Sequence, residues 1–185
     1  MTTTTPWPVP NHRGAARGFT LVEVMIAGII GTFLMLGVLT TFLFLGRSGA
    51  NIANYSEMEF QSRKALETFA EDTRQASSIT WNSSTSVTLI VDAQAITWSY
   101  AGGSLSRQTG SATPITMITG ITSFAFTAYD ITGAQVALSD LTAAGKVTKQ
   151  LQISLQASRS SQTVTTATNL VLSARYILRN KRVTA

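Results

Sequence analysis

The chain has 185 residues, of which 12% are charged, and 14 Lys and Arg against nine Asp and Glu give a net charge of +5. Globular proteins carry about 25% charged residues, so the 28 Thr and 19 Ser of this chain supply much of its polarity. A hydrophobic content of 44% argues against an intrinsically disordered chain. The absence of Cys excludes disulfides, thiolate metal sites and Cys nucleophiles.

The first 18 residues are rich in Thr and Pro and contain no acidic residue. They carry Arg13, Arg17 and the only histidine, His12, which argues against histidine-dependent catalysis elsewhere in the chain. Because basic flanks stay on the cytoplasmic side of a membrane, whatever follows an adjoining membrane helix is expected to be exported.

An uncharged, almost wholly apolar run occupies residues 24–45, between Glu23 and Arg47. At about 1.5 Å per helical residue it spans roughly 33 Å, which is enough to cross a hydrocarbon core of about 30 Å. A buried core helix is the alternative, but such helices seldom remain apolar on every face. An ordinary secretory signal has a shorter apolar region and a small-residue cleavage site, which the segment before Arg47 lacks. We therefore predict a transmembrane helix over residues 19–46.

The basic and apolar segments meet in an unusual junction, which reads Arg17-Gly18-Phe19-Thr20-Leu21-Val22-Glu23-Val24-Met25-Ile26-Ala27. It resembles the class III signal of the type IV pilin family: a basic leader, Gly, Phe and a hydrophobic stretch with Glu at its fifth position. The resemblance implies that prepilin peptidase cuts between Gly18 and Phe19 and methylates the new Phe19 amine. The leader, residues 1–18, would then be removed, whereas the apolar helix would remain on the mature protein.

Glu23 is predicted to set the register of assembly. A carboxylate within a membrane helix costs about 2.5–3.5 kcal/mol unless it is paired or near the interface. The new Phe19 amine is a natural partner, in the same chain or, as the family suggests, in a neighbouring subunit. The alternative is that Glu23 merely marks the interfacial end of the helix. Ala27, Gly28 and Gly31 are predicted to allow close helix packing, because Ala27-xxx-Gly31 fits the small-xxx-small pattern.

Residues 47–78 form a predicted amphipathic helix that packs on the following domain. Its apolar stripe, interrupted at Ser62, comprises Ile52, Tyr55, Met58, Leu66, Phe69, Ala70, Thr73 and Ala76. The charged residues are expected to lie on a solvated face; they are Glu57, Glu59, Arg63, Lys64, Glu67, Glu71, Asp72 and Arg74. One long helix should therefore extend from Phe19 to about Ser77.

Residues 79–185 are predicted to form a β-rich exported head, because the apolar period becomes two after Ser77. The predicted strands are Val87–Val91, Ala95–Tyr100, Ser104–Gln108, Ile121–Tyr129, Gln135–Leu138 and Val147–Ala157, with Gly102-Gly103 as a hairpin turn. Leu170–Leu178 fits a strand or a helical stripe, and the Thr- and Val-rich residues before it favour a strand. The fold class is therefore predicted as α+β, a long N-terminal helix packed on an antiparallel sheet.

Looser similarities extend along the head: Arg63–Ala76, Ile96–Arg107 and Leu178–Asn180 look like the minor-pilin W and pseudopilin J branch of the family. They imply a minor subunit rather than the abundant major one.

No pattern typical of an enzyme, metal site or cofactor site occurs in the sequence. Asp92, Asp130 and Asp140 are isolated and near predicted turns, and Asp130-x-x-Gly133 lacks the ligand spacing of a calcium loop. The basic terminus, Arg175, Arg179, Lys181 and Arg182, is interpreted as a solvated edge, with contact to nucleic acid as the less favoured alternative. Trp81 and Trp98 are expected to pack in or near the sheet.

The predicted function is therefore a minor pilin of a type IV pilus or related filament, with no enzymatic activity and no cofactor. Its expected partners are prepilin peptidase, other pilins or pseudopilins and the inner-membrane assembly platform. The chain would lie in the bacterial inner membrane with a cytoplasmic N-terminus, and later in the filament. Two alternatives remain: a J-like pseudopilin of a type II secretion system, or an unprocessed membrane-anchored binding protein, for which DNA is one candidate ligand.

Overall fold

A computed structural model describes residues 18–159 and 168–182 of the chain. By its internal contacts the chain divides into two units, one ending at Leu45 and one starting at Gly46. The first helix, α1, includes residues of both units and runs from Leu21 to Gln75, close to the predicted limits.

The part of α1 up to Leu45 is apolar around its whole circumference, and its large hydrophobic side chains are exposed. By length and composition this helix could cross a membrane, as predicted.

The unit from Gly46 onward is built of antiparallel strands and a short second helix. The strands are β1 (Ser78–Ser83), β2 (Ser86–Val91), β3 (Gln94–Ala101), β4 (Ser104–Thr109), β5 (Ile115–Thr119), β6 (Ile121–Tyr129), β7 (Gln135–Val136), β8 (Gln150–Arg159) and β9 (Thr168–Ile177); the helix is α2 (Leu141–Val147). Sheet A has the order β1-β2-β3-β4-β5, and sheet B the order β7-β6-β8-β9. The architecture is α+β, as predicted.

Phe69 of α1 lies at the centre of the core and is fully buried. Its ring lies 5.3 Å from Trp98 of sheet A, and 5.9 Å and 5.8 Å from Phe126 and Tyr176 of sheet B. The helix therefore packs on both sheets through one side chain. The expectation that Trp81 and Trp98 pack in the sheet is confirmed, since both are buried.

The predicted apolar stripe of α1 is correct from Met58 onward and wrong before it. Ile52 and Tyr55 are exposed, whereas Ser62, predicted to interrupt the stripe, is buried. Hydrophobicity and period indicate which side of a helix is apolar, but not where the sheets begin to cover it.

The predicted strands agree with β2, β3, β4, β6 and β8, apart from their ends, and Gly102 and Gly103 form the β3–β4 turn with positive φ. The alternating residues of Leu170–Leu178 lie in strand β9 up to Ile177, so the helical alternative for this segment is wrong. Strands β1 and β5 and helix α2 were not predicted.

Val147 was predicted to be on the inner face of a strand, but it ends α2 and is exposed. The Asp140 side chain caps this helix by accepting bonds from the Thr142 and Ala143 amides, 3.0 Å each. The apolar period predicted a strand that begins at Val147. The Asp140 cap instead starts helix α2, which ends at Val147, and strand β8 begins at Gln150.

Two phenylalanines of α1 test this packing. Phe69→Ala should lower the free energy of unfolding by about 3–5 kcal/mol, because it opens a cavity between the sheets. Phe60→Ala removes a ring that is 68% exposed and should change the free energy of unfolding by less than about 0.5 kcal/mol. Urea unfolding of the full chain in detergent, followed by near-ultraviolet circular dichroism, measures both; similar losses would contradict this description of the core.

Candidate functional site

Helix α1 begins with a reciprocal cap between Thr20 and Glu23. The Thr20 amide and hydroxyl donate to Oε2 of Glu23 at 2.9 Å each, and the Glu23 amide donates to Thr20 Oγ1 at 3.2 Å. This is a capping box, in which the residues satisfy two amides that the first helical turn leaves free. It holds the predicted register carboxylate at the start of the helix, and the Thr-x-x-Glu spacing could have predicted it.

Gly18 and Phe19 lie immediately before this cap and outside the helix. Phe19 is 87% exposed, and among the described residues no atom beyond the chain neighbours of Gly18 lies within 4 Å of the position that a Cβ there would take. Both residues that flank the Gly18–Phe19 peptide bond are therefore exposed. The predicted leader before Gly18, with His12, Arg13 and Arg17, lies outside the described residues.

Gly28 and Gly31 leave shallow grooves on the apolar helix. One groove is lined by both glycines with Thr32, Met35, Leu36 and Leu39, and a Cβ at either glycine would meet no atom within 4 Å. Ala27 does not line this groove. The Thr32 hydroxyl donates to the Gly28 carbonyl at 2.8 Å, so it presents no unsatisfied donor to a neighbouring helix.

Asp72 was predicted to lie on the solvated face of α1, but it is 4% exposed. Its carboxylate accepts from Trp98 Nε1 at 2.8 Å and from Arg107 Nε and Nη2 at 2.7 and 2.9 Å. The bidentate pair compensates for the loss of hydration of the buried charge. The hydrogen bond to Asp72 raises the pKa of Arg107 above its ordinary value. The solvated interpretation is wrong for Asp72 because this turn of α1 faces sheet A.

Lys181 was predicted to belong to a solvated basic edge, but it is 6% exposed. Its Nζ donates to the carbonyls of Gly145, Lys146 and Thr148 at 2.8, 2.8 and 2.7 Å. These carbonyls lie at the C-terminal end of α2, where a helix leaves acceptors free and favours a cation. Burial lowers the pKa of Lys181, and the nearby Lys149 charge adds to the effect.

The other basic residues near the C-terminus differ in their surroundings. Arg175 lies over the ring of Tyr129, 3.5 Å from its centroid, and its Nε donates to Gln152 Oε1 at 3.1 Å. Arg179 and Arg182 are exposed. With Lys181 occupied inside the fold, the support for a four-residue polyanion surface is weaker.

Of the three isolated aspartates predicted to serve turns, Asp92 and Asp130 do so, whereas Asp140 caps α2. Asp130 Oδ1 accepts from the Thr132 and Ala134 amides at 2.8 and 2.9 Å, and Asp92 has a positive φ in the β2–β3 turn. The hydrogen bond from the Thr132 hydroxyl is the main cause that lowers the pKa of Asp130. Within residues 18–159 and 168–182, no three His, Asp or Glu side chains converge as metal ligands.

Neither the protein-family models nor the curated protein sequences include a match to this chain.

The buried pair between Asp72 and Arg107 predicts a strong dependence on Asp72. Asp72→Ala should lower the free energy of unfolding by about 2–4 kcal/mol, because it leaves Trp98 Nε1 and Arg107 without their acceptor. The adjacent Glu71 is exposed, so Glu71→Ala should cost less than about 0.5 kcal/mol. A double-mutant cycle with Arg107→Ala, measured by urea unfolding, should show that the two losses are not additive; additive losses would contradict the pairing.

Lys181 and Arg179 provide a second matched pair. Lys181→Met should destabilise the fold by about 2 kcal/mol or more, because three carbonyls lose their donor and those of Gly145 and Thr148 belong to buried residues. Arg179→Met removes an equal charge from an exposed position and should have almost no effect. Thermal unfolding of the two variants separates them, and equal melting temperatures would contradict the role of Lys181.

Proposed function

We propose that this chain is a minor pilin, a structural subunit of a type IV pilus or related filament that prepilin peptidase processes. The junction carries the proposal: an exposed Gly18–Phe19 bond is followed by Glu23 at the helix start and by an uncharged helix over residues 24–45. This order of residues is what a peptidase needs if it is to remove a basic leader and leave the apolar helix for assembly.

Cleavage would change the electrostatics at the start of α1. A new cationic amine would stand at Phe19, directly before the Thr20 amide that donates to Glu23. Methylation keeps a cation there, so Glu23 would have a charged partner in addition to its cap. Between subunits the same attraction would favour the register that pairs each carboxylate with an amine, because an unpaired carboxylate in an apolar medium is penalised.

The grooves at Gly28 and Gly31 support assembly through the same helix. In an apolar medium helices associate by close packing rather than by the hydrophobic effect, and glycines allow their backbones to approach. From Met58 onward one face of the helix is buried, whereas the large apolar side chains before it are exposed on every face, so the surface available for helix packing lies mainly before Met58.

The proposal is tested by the mass of the mature N-terminus in the native bacterium. We expect a chain that begins with methylated Phe19. Gly18→Leu should leave the leader attached, because a side chain blocks approach to the scissile carbonyl, whereas Gly14→Leu, in the same leader, should be processed normally. An intact leader on the unaltered protein would overturn the proposal in favour of an anchored binding protein.

The register role is tested separately with Glu23→Gln. This variant keeps an acceptor for the Thr20 cap but loses the charge, so it should be cleaved and inserted normally yet be depleted from sheared filaments.

Deleting the gene distinguishes a type IV pilus from a type II secretion system. Loss of surface pili supports the pilus, and loss of secretion with pili intact supports the type II pseudopilus.

A further inference from the structure

The strand at one edge of sheet B differs from the other edge strands. Among the described residues, β1 packs against α2 and has a register shift after Trp81, β5 has five residues, and β7 has two. By contrast β9 has ten residues, pairs with β8 without a register shift, and has no described neighbour along its other side. Proteins usually protect such edges with charges, Pro or bulges; the one charged side chain of β9, Arg175, lies over Tyr129.

The backbone groups on the open side of β9 can be assigned from one hydrogen bond. The Leu178 amide donates to the Lys149 carbonyl at 2.9 Å, so the backbone N–H of Leu178 points toward β8. Because successive residues of a strand point in alternate directions, the amides of Val171, Ser173 and Arg175 face away from β8. These groups are positioned to pair with a further strand.

The inner face of β9 is only partly covered. Leu172 and Tyr176 are half-buried, whereas Leu151, Ile153 and Leu155 on the adjacent β8 are buried. The side chains that would be covered by a further strand are therefore apolar and incompletely packed. On the outer face Val171 is 72% exposed.

A groove of about 480 Å³ lies at the Tyr176 end of this edge, between β9 and α1. Leu66, Ala70 and Tyr176 provide its apolar lining, and Glu67, Glu71, Arg74 and Gln75 complete it. The Arg74 guanidinium lies 5.9 Å from the centre of the Tyr176 ring. Its charge is held over the ring, and the two exposed glutamates give the opening an acidic rim.

We propose that the free edge of β9 binds an extended segment of another polypeptide, which adds as a further strand of sheet B. Alternate apolar side chains of the segment enter the groove beside Leu66 and Tyr176, and a Lys or Arg faces Glu67 and Glu71. This is strand addition, in which main-chain bonds provide affinity and alternating pockets provide specificity. The proposal does not depend on the filament function, since every residue in it belongs to the unit from Gly46 onward.

The probe is a fluorescent peptide of about eight residues that alternates Val and Thr and has Lys at both ends. Its binding to the full chain in lipid nanodiscs is measured by anisotropy. Ser173→Pro removes an outward amide without breaking a bond to β8 and should weaken binding at least about tenfold. Ser173→Ala is the matched control: it loses the same bonds to Gln152 and Ser154 but keeps the amide, and should bind normally.

Two further peptides keep the test independent of how the variants fold. A peptide N-methylated along its pairing edge should not bind, and a peptide with Glu in place of Lys should bind weakly to the native chain and tightly to Glu67→Lys/Glu71→Lys. Equal binding of the methylated and unmethylated peptides would overturn strand addition. If the Glu peptide binds Glu67→Lys/Glu71→Lys no more tightly than the native chain, the proposal that the bound segment is basic would be overturned. Self-association in sedimentation that Ser173→Pro abolishes would identify a second copy as the occupant and overturn the proposal as stated.

Discussion

The fold of the head depends on a single helix that packs on two sheets at once, and Phe69 is where this happens. Its ring contacts Trp98 of sheet A together with Phe126 and Tyr176 of sheet B. The two sheets also meet directly, since Tyr100 of sheet A stacks on Phe124 of sheet B with 4.7 Å between ring centroids, and Phe69 adds the helix to this contact. Three residues later, Asp72 reaches Trp98 and Arg107 from the same helix. Apolar packing and a paired charge thus hold one turn of α1 against sheet A.

The end of the chain completes the fold by a different interaction. The Asn180 side chain donates to the Gln75 carbonyl at 3.1 Å, at the last residue of α1, and Lys181 satisfies three carbonyls at the end of α2. The last described segment therefore satisfies one terminal carbonyl of α1 and three at the end of α2. Lys181 is buried rather than solvated, and its three hydrogen bonds to carbonyls at the end of α2 replace those it would make to water.

The candidate site is formed by contacts between neighbouring residues of the chain, whereas the core is formed by contacts between distant ones. Thr20 and Glu23 cap each other through local bonds, Gly18 and Phe19 remain exposed before them, and the next 22 residues present apolar side chains on every face. Nothing in this arrangement depends on the sheets. For that reason a motif of adjacent residues could indicate both the proposed cleavage position and the helix that follows it, whereas assembly with neighbouring subunits remains a proposal.

The long helix, its apolar segment, most strands and the turn at Gly102-Gly103 could be predicted from the sequence, because each follows from local period, propensity or backbone freedom. Tertiary structure alone decided that Asp72 and Lys181 are buried, since their partners Arg107 and Gly145 are more than 30 positions away in the chain. It also decided that the apolar stripe of α1 is covered only from Met58, and that β9 has no neighbour on its outer side among the described residues. Local patterns specify what a segment can form, whereas burial and pairing depend on which segments meet.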